Sequence, residues 1–337
     1  SPLKPLHRQD GYLPIEDYGL VGDGATAALI GRDGSVAWLC LPRFDSPPLF
    51  CRLLDVARGG YFTIAPDQVL ESRQFYEPDT AVLVTEMRSA TGLLRLTDLC
   101  PLVAGADLSE DLSATRRELL RTATVVEGRI DLIVHLDPRG GAEAEPRDGG
   151  MRIRCHAQPD LNLHLYSTRP MMGLRTSMTV TAGQSFHLLL CWRQGSSPSP
   201  RFNVEALRRD TVAVWRKWLH CLEYRGPQEA LVRRSAVTLK LLDHFENGAI
   251  VAAPTSSLPE LIGGGRNWDY RYAWVRDAAF SVYALHRIGL SHEAAGFLSW
   301  VLDAVERDRT VHVMYNLDGG MPPEERSDPE LEGYRRS

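Results

Sequence analysis

The hydrophobic pattern of this chain changes period near residue 197, and that change constrains the fold more than any other feature. From about residue 60 to 195, apolar and polar residues alternate, as they do at 94–99 and 130–136. Beyond residue 203, apolar residues recur every three or four positions, as at Trp215 and Trp218. A period of two is typical of half-buried strands, and a period of 3.6 is typical of amphipathic helices. We therefore predict a multidomain chain with an antiparallel sheet first and helices afterwards.

The strand region is predicted to form an antiparallel β-sandwich domain at 10–197, because its short alternating runs are separated by Gly, Pro and Asp turns. An Asp33-Gly34 turn between two apolar runs predicts a hairpin. Residues 49–54 are predicted to form one helical turn, and the Gly-, Glu- and Asp-rich segment 139–150 is predicted to be an exposed loop.

The helical region is predicted to contain a linker at 198–226 and a second domain at 227–337. Asn203 is expected to cap a linker helix at 204–222, because its side chain can accept a hydrogen bond from a free N–H group of the first turn. The remaining expectations are a second helix to Phe245, a third at 274–288 ended by Gly289, a fourth at 291–307 that Ser291 caps, and a tail at 309–337 that is mostly loop.

Charge and cysteine spacing exclude several function classes. The formal net charge is -5 and the pI is about 6.1, so nothing indicates the basic surface that nucleic-acid binding requires. The apolar runs have the length of strands, which excludes a helical membrane span, and the N-terminus lacks an apolar signal region, so we expect a cytoplasmic protein. The six cysteines have no Cys-x-x-Cys spacing, which favours buried reduced thiols. We expect neither a metal site nor a cofactor.

The stretch 266–277 is the strongest candidate for a functional site. It contains four aromatic residues, three arginines and two aspartates within twelve positions. Aromatic rings can lie against the apolar face of a sugar, and guanidinium and carboxylate groups can hold its hydroxyls. A core segment would not combine so much charge with so much aromatic surface, because buried charge is costly unless it is paired. The stretch therefore indicates a carbohydrate pocket.

Two long patterns carry a family resemblance. Val-Ala-Ala-Pro-Thr-Ser-Ser-Leu-Pro-Glu at 251–260, followed by Gly-Gly-Arg-Asn-Trp-Asp-Tyr-Arg-Tyr at 264–272 and Trp-Val-Arg-Asp-Ala at 274–278, closely resembles glycoside hydrolase family 15. That family comprises glucoamylases, glucodextranases and prokaryotic trehalases. The N-terminal runs at 15–20, 31–35 and 38–47 are similar to the β-sandwich (super-sandwich) domain of its prokaryotic members. The resemblance implies that 227–337 provides the first helices of a twelve-helix (α/α)6 barrel.

The resemblance also implies roles for individual residues. Arg276 and Asp277 would hydrogen-bond the hydroxyls of the non-reducing glucose, while Tyr270 and Trp274 would line the same subsite. Alternatives from the residues themselves stay open. Asp277 could complement the dipole of a helix that begins there, and Arg276 could be a structural ion-pair partner.

Neighbouring residues of the stretch have less defined roles. Trp268 and Asp269 could form pocket wall or loop scaffold, and Arg271 and Tyr272 lean towards structural roles. Asp45, in a turn of the sandwich domain, could reach the site or stabilise its own turn.

The activity implied is inverting hydrolysis of terminal α-glucosidic bonds, in trehalose or in malto-oligosaccharides. The family's two catalytic glutamates lie downstream of the Trp-x-Arg-Asp motif, and no glutamate up to Ser337 matches them. No catalytic residue is therefore assigned, and this chain alone is expected to be inactive. The alternatives are a non-catalytic carbohydrate-binding or regulatory relative and an inverting disaccharide phosphorylase. An incomplete barrel would expose apolar surface, which favours self-association into a homo-oligomer.

Overall fold

The structure is a computed structural model that describes residues 2–110, 113–193 and 202–337. Strands come first and helices follow, which confirms the predicted order of a β part and an α part. The predicted boundary between sandwich and linker at 197/198 lies outside the described residues.

Antiparallel strands account for the first part of the chain. In the described ranges they are β1 (Lys4–Pro5), β2 (Tyr18–Gly22), β3 (Ala27–Gly31), β4 (Ser35–Cys40), β5 (Pro48–Phe50), β6 (Tyr61–Pro66), β7 (Glu71–Tyr76), β8 (Leu83–Arg88), β9 (Gly92–Leu99), β10 (Glu118–Asp137), β11 (Ala142–Arg147), β12 (Gly150–Cys155), β13 (Gln158–Ser167), β14 (Arg175–Thr181) and β15 (Ser185–Cys191). A 3-10 turn at Ile15–Asp17 precedes β2.

The long strand β10 joins two layers. Its first half pairs with β9 and β15, in the strand order β1-β7-β8-β9-β10-β15-β13-β12-β11. Its second half pairs with β6 and β14, and β6 continues through β4 to β3 and β2. A bulge between Val125 and Glu127 separates the halves. The main core contains side chains of both layers, including Phe62 and Phe186, so one hydrophobic core holds them together.

The predicted β3–β4 hairpin is confirmed. Asp33 accepts hydrogen bonds from the backbone N–H of Ser35 at 3.0 Å and from its hydroxyl at 2.5 Å. Gly34 has φ +78°, a left-handed conformation that other residues adopt at a cost. The Asp-Gly pair therefore determines this turn through its own local chemistry.

Two predictions in the β part hold only in part. Leu49 and Phe50 are not helical, because they are buried in β5, which pairs with β4; a turn begins at Cys51, whose O accepts a hydrogen bond from Leu54 N at 2.8 Å. Residues 139–150 are not one loop, because β11 lies within them and pairs with β12, which begins at Gly150. The charged residues of β11 are tolerated since the strand lies at a sheet edge, where charged side chains also discourage pairing with other chains.

Helices follow from residue 204 onward. They are α1 (Val204–Leu219), α2 (Glu229–Lys240), α3 (Val275–Arg287) and α4 (Ser291–Asp308), with a small sheet of β16 (Ala273–Trp274) and β17 (Met314–Tyr315) and a 3-10 turn at Tyr334–Arg336. Asn203 caps α1 as predicted, because its side chain accepts a hydrogen bond from Ala206 N at 2.9 Å. Gly289, with φ +88°, follows α3.

Helix boundaries differ from prediction at three places. Helix α1 ends at Leu219, three residues early, and α2 ends at Lys240 rather than Phe245. After α2 the chain turns, and Val251 N donates to Leu242 O at 3.0 Å, so backbone pairing replaces the last helical turn. Ser291 is the first helical residue of α4, not its cap.

The α part packs directly on the β part. Phe44 and Ala27 of the β part belong to the same buried cluster as Phe297 of α4. Helix α1 contributes Trp215 and Trp218, whose rings lie edge to face with centroids 6.0 Å apart. These mixed clusters bury the sheet-facing sides of the helices.

Other faces of the helices stay exposed. Four apolar or aromatic side chains are each more than half exposed: Phe280 and Tyr283 of α3, and Leu298 and Leu302 of α4. This agrees with the expected exposed apolar surface. In the described part of the chain, no helix combines the length and hydropathy needed to cross a membrane.

The cysteines are free thiols, and five of the six are buried as predicted. Cys221 is exposed, because it lies in the turn after α1, so the prediction is wrong for this residue. The alternating residues at 161–166 predict that His164 faces solvent, but it is buried and stacked on Tyr166, with ring centroids 6.1 Å apart.

Candidate functional site

The stretch 266–277 lies between two extended segments that fix its backbone. On one side, Ala253 N donates to Tyr270 O at 2.8 Å, and Ser257 N donates to Trp268 O at 3.0 Å. On the other side, β16 pairs with β17 of the tail. These hydrogen bonds hold an irregular segment in one conformation directly before α3.

Tyr270 and Trp274 form one aromatic surface. Their ring centroids are 5.4 Å apart and the planes are inclined by 37°. Trp274 Nε1 donates to Asp269 O at 3.3 Å, which fixes the orientation of the indole. Both side chains are only partly buried, so ring area is available to a ligand.

Arg276 and Asp277 lie in the first turn of α3. An Arg276 Nη2 donor is 3.2 Å from Asp277 Oδ2, and the two side chains are 69% and 31% exposed. This single contact uses little of the pair's hydrogen-bonding capacity, because a guanidinium has five N–H donors and a carboxylate has several acceptor sites. The position also lets Asp277 interact favourably with the helix dipole, so the two roles are compatible.

Asp269 and Arg271 have scaffold contacts. Arg271 Nη2 donates to Asp269 Oδ2 at 2.7 Å, and Arg271 Nε donates to Asp269 Oδ1 at 2.9 Å. Arg271 Nη1 reaches the β part and donates to Ser46 O at 2.8 Å. Burial alone would lower the pKa of Arg271, but the hydrogen bonds and charge of Asp269 raise it above its ordinary value. Trp268 is 36% exposed, at the edge of this scaffold.

The structure thus forms two contacting pairs from the predicted residues, Tyr270 with Trp274 and Arg276 with Asp277, within eight consecutive positions. Tyr272 is half-buried, and burial raises the pKa of its hydroxyl.

Sequence reasoning missed a salt bridge beside the stretch. Arg43 Nη1 donates to Asp318 Oδ1 at 2.9 Å, and Arg43 Nη2 is 3.0 Å from Asp45 Oδ2. The hydrogen bond from Arg43 lowers the pKa of Asp318. Asp45 is therefore engaged in its own turn. No local signal could link Arg43 with a residue 275 positions away.

A second polar cluster, which the sequence did not indicate, lines a cavity between the α and β parts. Lys240 Nζ lies 2.6 Å from Asp243 Oδ2 and 3.0 Å from Glu293 Oε1, and Trp218 Nε1 donates to the same Glu293 oxygen at 2.8 Å. His244 also lines this cavity. Across the ranges the structure describes, no group of three or more His, Cys, Asp or Glu side chains could hold a metal ion.

Comparison with known proteins gives two family matches. Residues 226–337 match the model for glycosyl hydrolases family 15, and residues 8–171 match the model for the trehalase-like N-terminal domain.

Individual relatives agree with these matches. A trehalase of Thermoplasma volcanium is 32% identical over 97% of this chain and 53% of its own length. A trehalase of Mycolicibacterium smegmatis is 34% identical over 96% of this chain and 53% of its own length. The chain therefore spans about half the length of the curated relatives it matches.

The fold has a counterpart among solved structures. A bacterial glucoamylase complexed with acarbose superposes with a TM-score of 0.60 at 13% identity, over 95% of this chain and 54% of that one. This supports a shared fold in which a β part precedes an α part. The two family models and the trehalase relatives show that the chain carries a glycoside hydrolase family 15 domain at 226–337, preceded by a trehalase-like N-terminal domain at 8–171.

Proposed function

We propose that this chain carries the sugar-holding part of an inverting α-glucosidase whose substrate is trehalose. The observation that carries the proposal is the exposed Arg276–Asp277 pair immediately after the Tyr270–Trp274 aromatic surface, at the N-terminus of α3. The relatives named trehalase favour trehalose over malto-oligosaccharides as the substrate. In this proposal α2, α3 and α4 belong to an (α/α)6 barrel, and the protein acts in the cytoplasm.

The chemistry of the four residues suits a terminal glucose. The rings of Tyr270 and Trp274 offer apolar area to a sugar face at a low entropic cost. Asp277 can accept hydrogen bonds from two adjacent hydroxyls, and Arg276 can donate to hydroxyl oxygens. Hydrogen bonds to charged groups contribute about 1.5–3 kcal/mol each, so this pair would dominate the affinity.

Asp269 takes a scaffold role in this proposal. Both of its oxygens accept hydrogen bonds from Arg271, which leaves the carboxylate poorly placed to act on a substrate. Trp268, more exposed, contributes at most to the wall of the pocket. Inversion needs a general acid and a general base roughly 6.5–9.5 Å apart, and we assign neither role within 266–277.

Product analysis on the intact gene product tests the activity. We expect glucose release from trehalose, independent of phosphate, with slower release from maltose. Release of glucose 1-phosphate only in the presence of phosphate would replace hydrolysis with phosphorolysis. Sugar binding without turnover of any α-glucoside would favour a regulatory relative. Either phosphorolysis or binding without turnover would overturn the proposal.

A further inference from the structure

We propose that the β part positions the sugar-holding stretch, and that Arg271 and Trp38 are the positioning residues. This inference rests on the proposed function, because it concerns the same pocket. Arg271 lies between the two residues assigned to the aromatic surface, Tyr270 and Trp274. Its side chain points away from solvent, with 13% exposed, and contacts the β part.

The first tether runs through Arg271. Nη1 donates to Ser46 O at 2.8 Å and lies 3.5 Å from Cys40 Sγ, so one guanidinium edge is bound to the turn after β4. The other edge is bound to Asp269 by hydrogen bonds of 2.7–3.2 Å. A planar guanidinium can hold both sides at once, whereas an ammonium group cannot reproduce this geometry. Arg271 therefore connects the β part to the backbone on either side of Tyr270.

The second tether runs through Trp38 of β4. Its indole Nε1 donates to Pro254 O at 2.7 Å, and its ring lies 5.9 Å from the Arg271 guanidinium. Pro254 follows Ala253, whose N–H donates to Tyr270 O. Trp38 is 1% exposed and cannot itself touch a sugar. A buried residue of the β part is thus linked to the pocket through one strand-like segment.

The two tethers meet at the same short segment from independent directions. Arg271 fixes it from within the stretch, and Trp38 fixes Pro254, which follows the residue that donates to Tyr270 O. The pairing of β16 with β17 attaches Trp274 to the tail, whereas the two tethers attach the segment to the β part. We infer that sugar affinity depends on the β part, although neither tether residue contacts the sugar.

The test compares trehalose affinity and unfolding midpoints of four proteins: wild type, Arg271→Lys, Trp38→Phe and the double variant. Because displacement of the stretch would weaken the charge-assisted hydrogen bonds to the sugar, each single variant is expected to weaken affinity about ten- to a hundredfold. The double variant should lose less than the product of the single losses, because both substitutions release the same segment. Arg209→Lys is the matched control for Arg271→Lys, since Arg209 lies on α1 outside the stretch, is 73% exposed and pairs with its neighbour Asp210. Its affinity should equal that of wild type.

A purely structural role would lower the unfolding midpoint but leave the affinity of the folded protein unchanged, and that result would overturn the inference. If Arg271→Lys does not fold, Trp38→Phe decides the question by itself. Absence of trehalose binding by the wild type would instead overturn the proposed function. The two failures are therefore distinguishable.

Discussion

Replacing Lys240 by Met should destabilise the junction between the α and β parts. Lys240 is 11% exposed and neutralises Asp243 and Glu293, whose side chains are 8% and 1% exposed. Removing one partner of a buried ion pair leaves an uncompensated charge and typically costs about 3–5 kcal/mol. Because Met fills a similar volume, the loss should come from charge and not from a cavity. We expect the free energy of unfolding to fall by about 3 kcal/mol or more.

Urea titration measures this loss, with tryptophan fluorescence reporting on Trp215 and Trp218 beside the cluster. Glu293→Gln in the Lys240→Met background removes one uncompensated charge and keeps an acceptor for Trp218 Nε1, so it should restore part of the stability. A loss below about 1 kcal/mol in the single variant, or no recovery in the double variant, would refute the reasoning.

Stability measured at alkaline pH provides an independent test of the role of Lys240. Burial alone would lower the pKa of Lys240, but the charges of Asp243 and Glu293 raise it above its usual value. A raised lysine pKa contributes stability that is present below about pH 10.4 and is lost as the pH rises through the folded-state pKa. Wild type should therefore lose stability above about pH 10.4, and Lys240→Met should lose less over the same range.

Three further outcomes are expected from unfolding measurements. Asn203→Ala removes the cap of α1 and should cost about 1 kcal/mol, whereas Asn203→Asp should retain most of the stability. Gly34→Ala should lower the free energy of unfolding by more than about 1 kcal/mol, since Gly34 has φ +78° and an added Cβ would lie 2.2 Å from Ile64 O. An unchanged stability would contradict this close contact. Burial lowers the pKa of His244, so the unfolded state binds a proton before the folded state does as the pH falls below about 6.5. The free energy of unfolding should therefore decrease below that pH, and His244→Phe should make this decrease smaller. An unchanged pH dependence would exclude His244 as a contributor.

Local chemistry explains which elements could be predicted from sequence. The β3–β4 hairpin follows from Asp33-Gly34, α1 from Asn203 and its apolar stripe, and the end of α3 from Gly289. Strand β11 was missed because its Glu and Pro content and the glycines on both sides of it are typical of a loop, although its alanines alternate with glutamates. The pairing that makes it a strand comes from β12, which composition does not reveal.

The candidate site also has a part that the sequence predicts and a part that it does not. The residues of the stretch 266–277 could be identified from their types and spacing, and α3 begins where the motif predicts. The contacts that hold the stretch could not, because Arg271 with Ser46, Arg43 with Asp318 and Lys240 with Glu293 each join distant positions. Such pairs depend on how the two parts pack, and that packing is a property of the whole fold.

Trehalose affinity of wild type and Asp277→Asn tests the sugar-holding role most directly. The substitution keeps the shape of the side chain and its position in the first turn of α3 but removes its charge. Loss of charge-assisted hydrogen bonds worth about 1.5–3 kcal/mol should raise the Kd by about ten- to 150-fold. Calorimetric titration of both proteins gives the two values. Equal affinities would contradict the assignment of this pocket to Asp277.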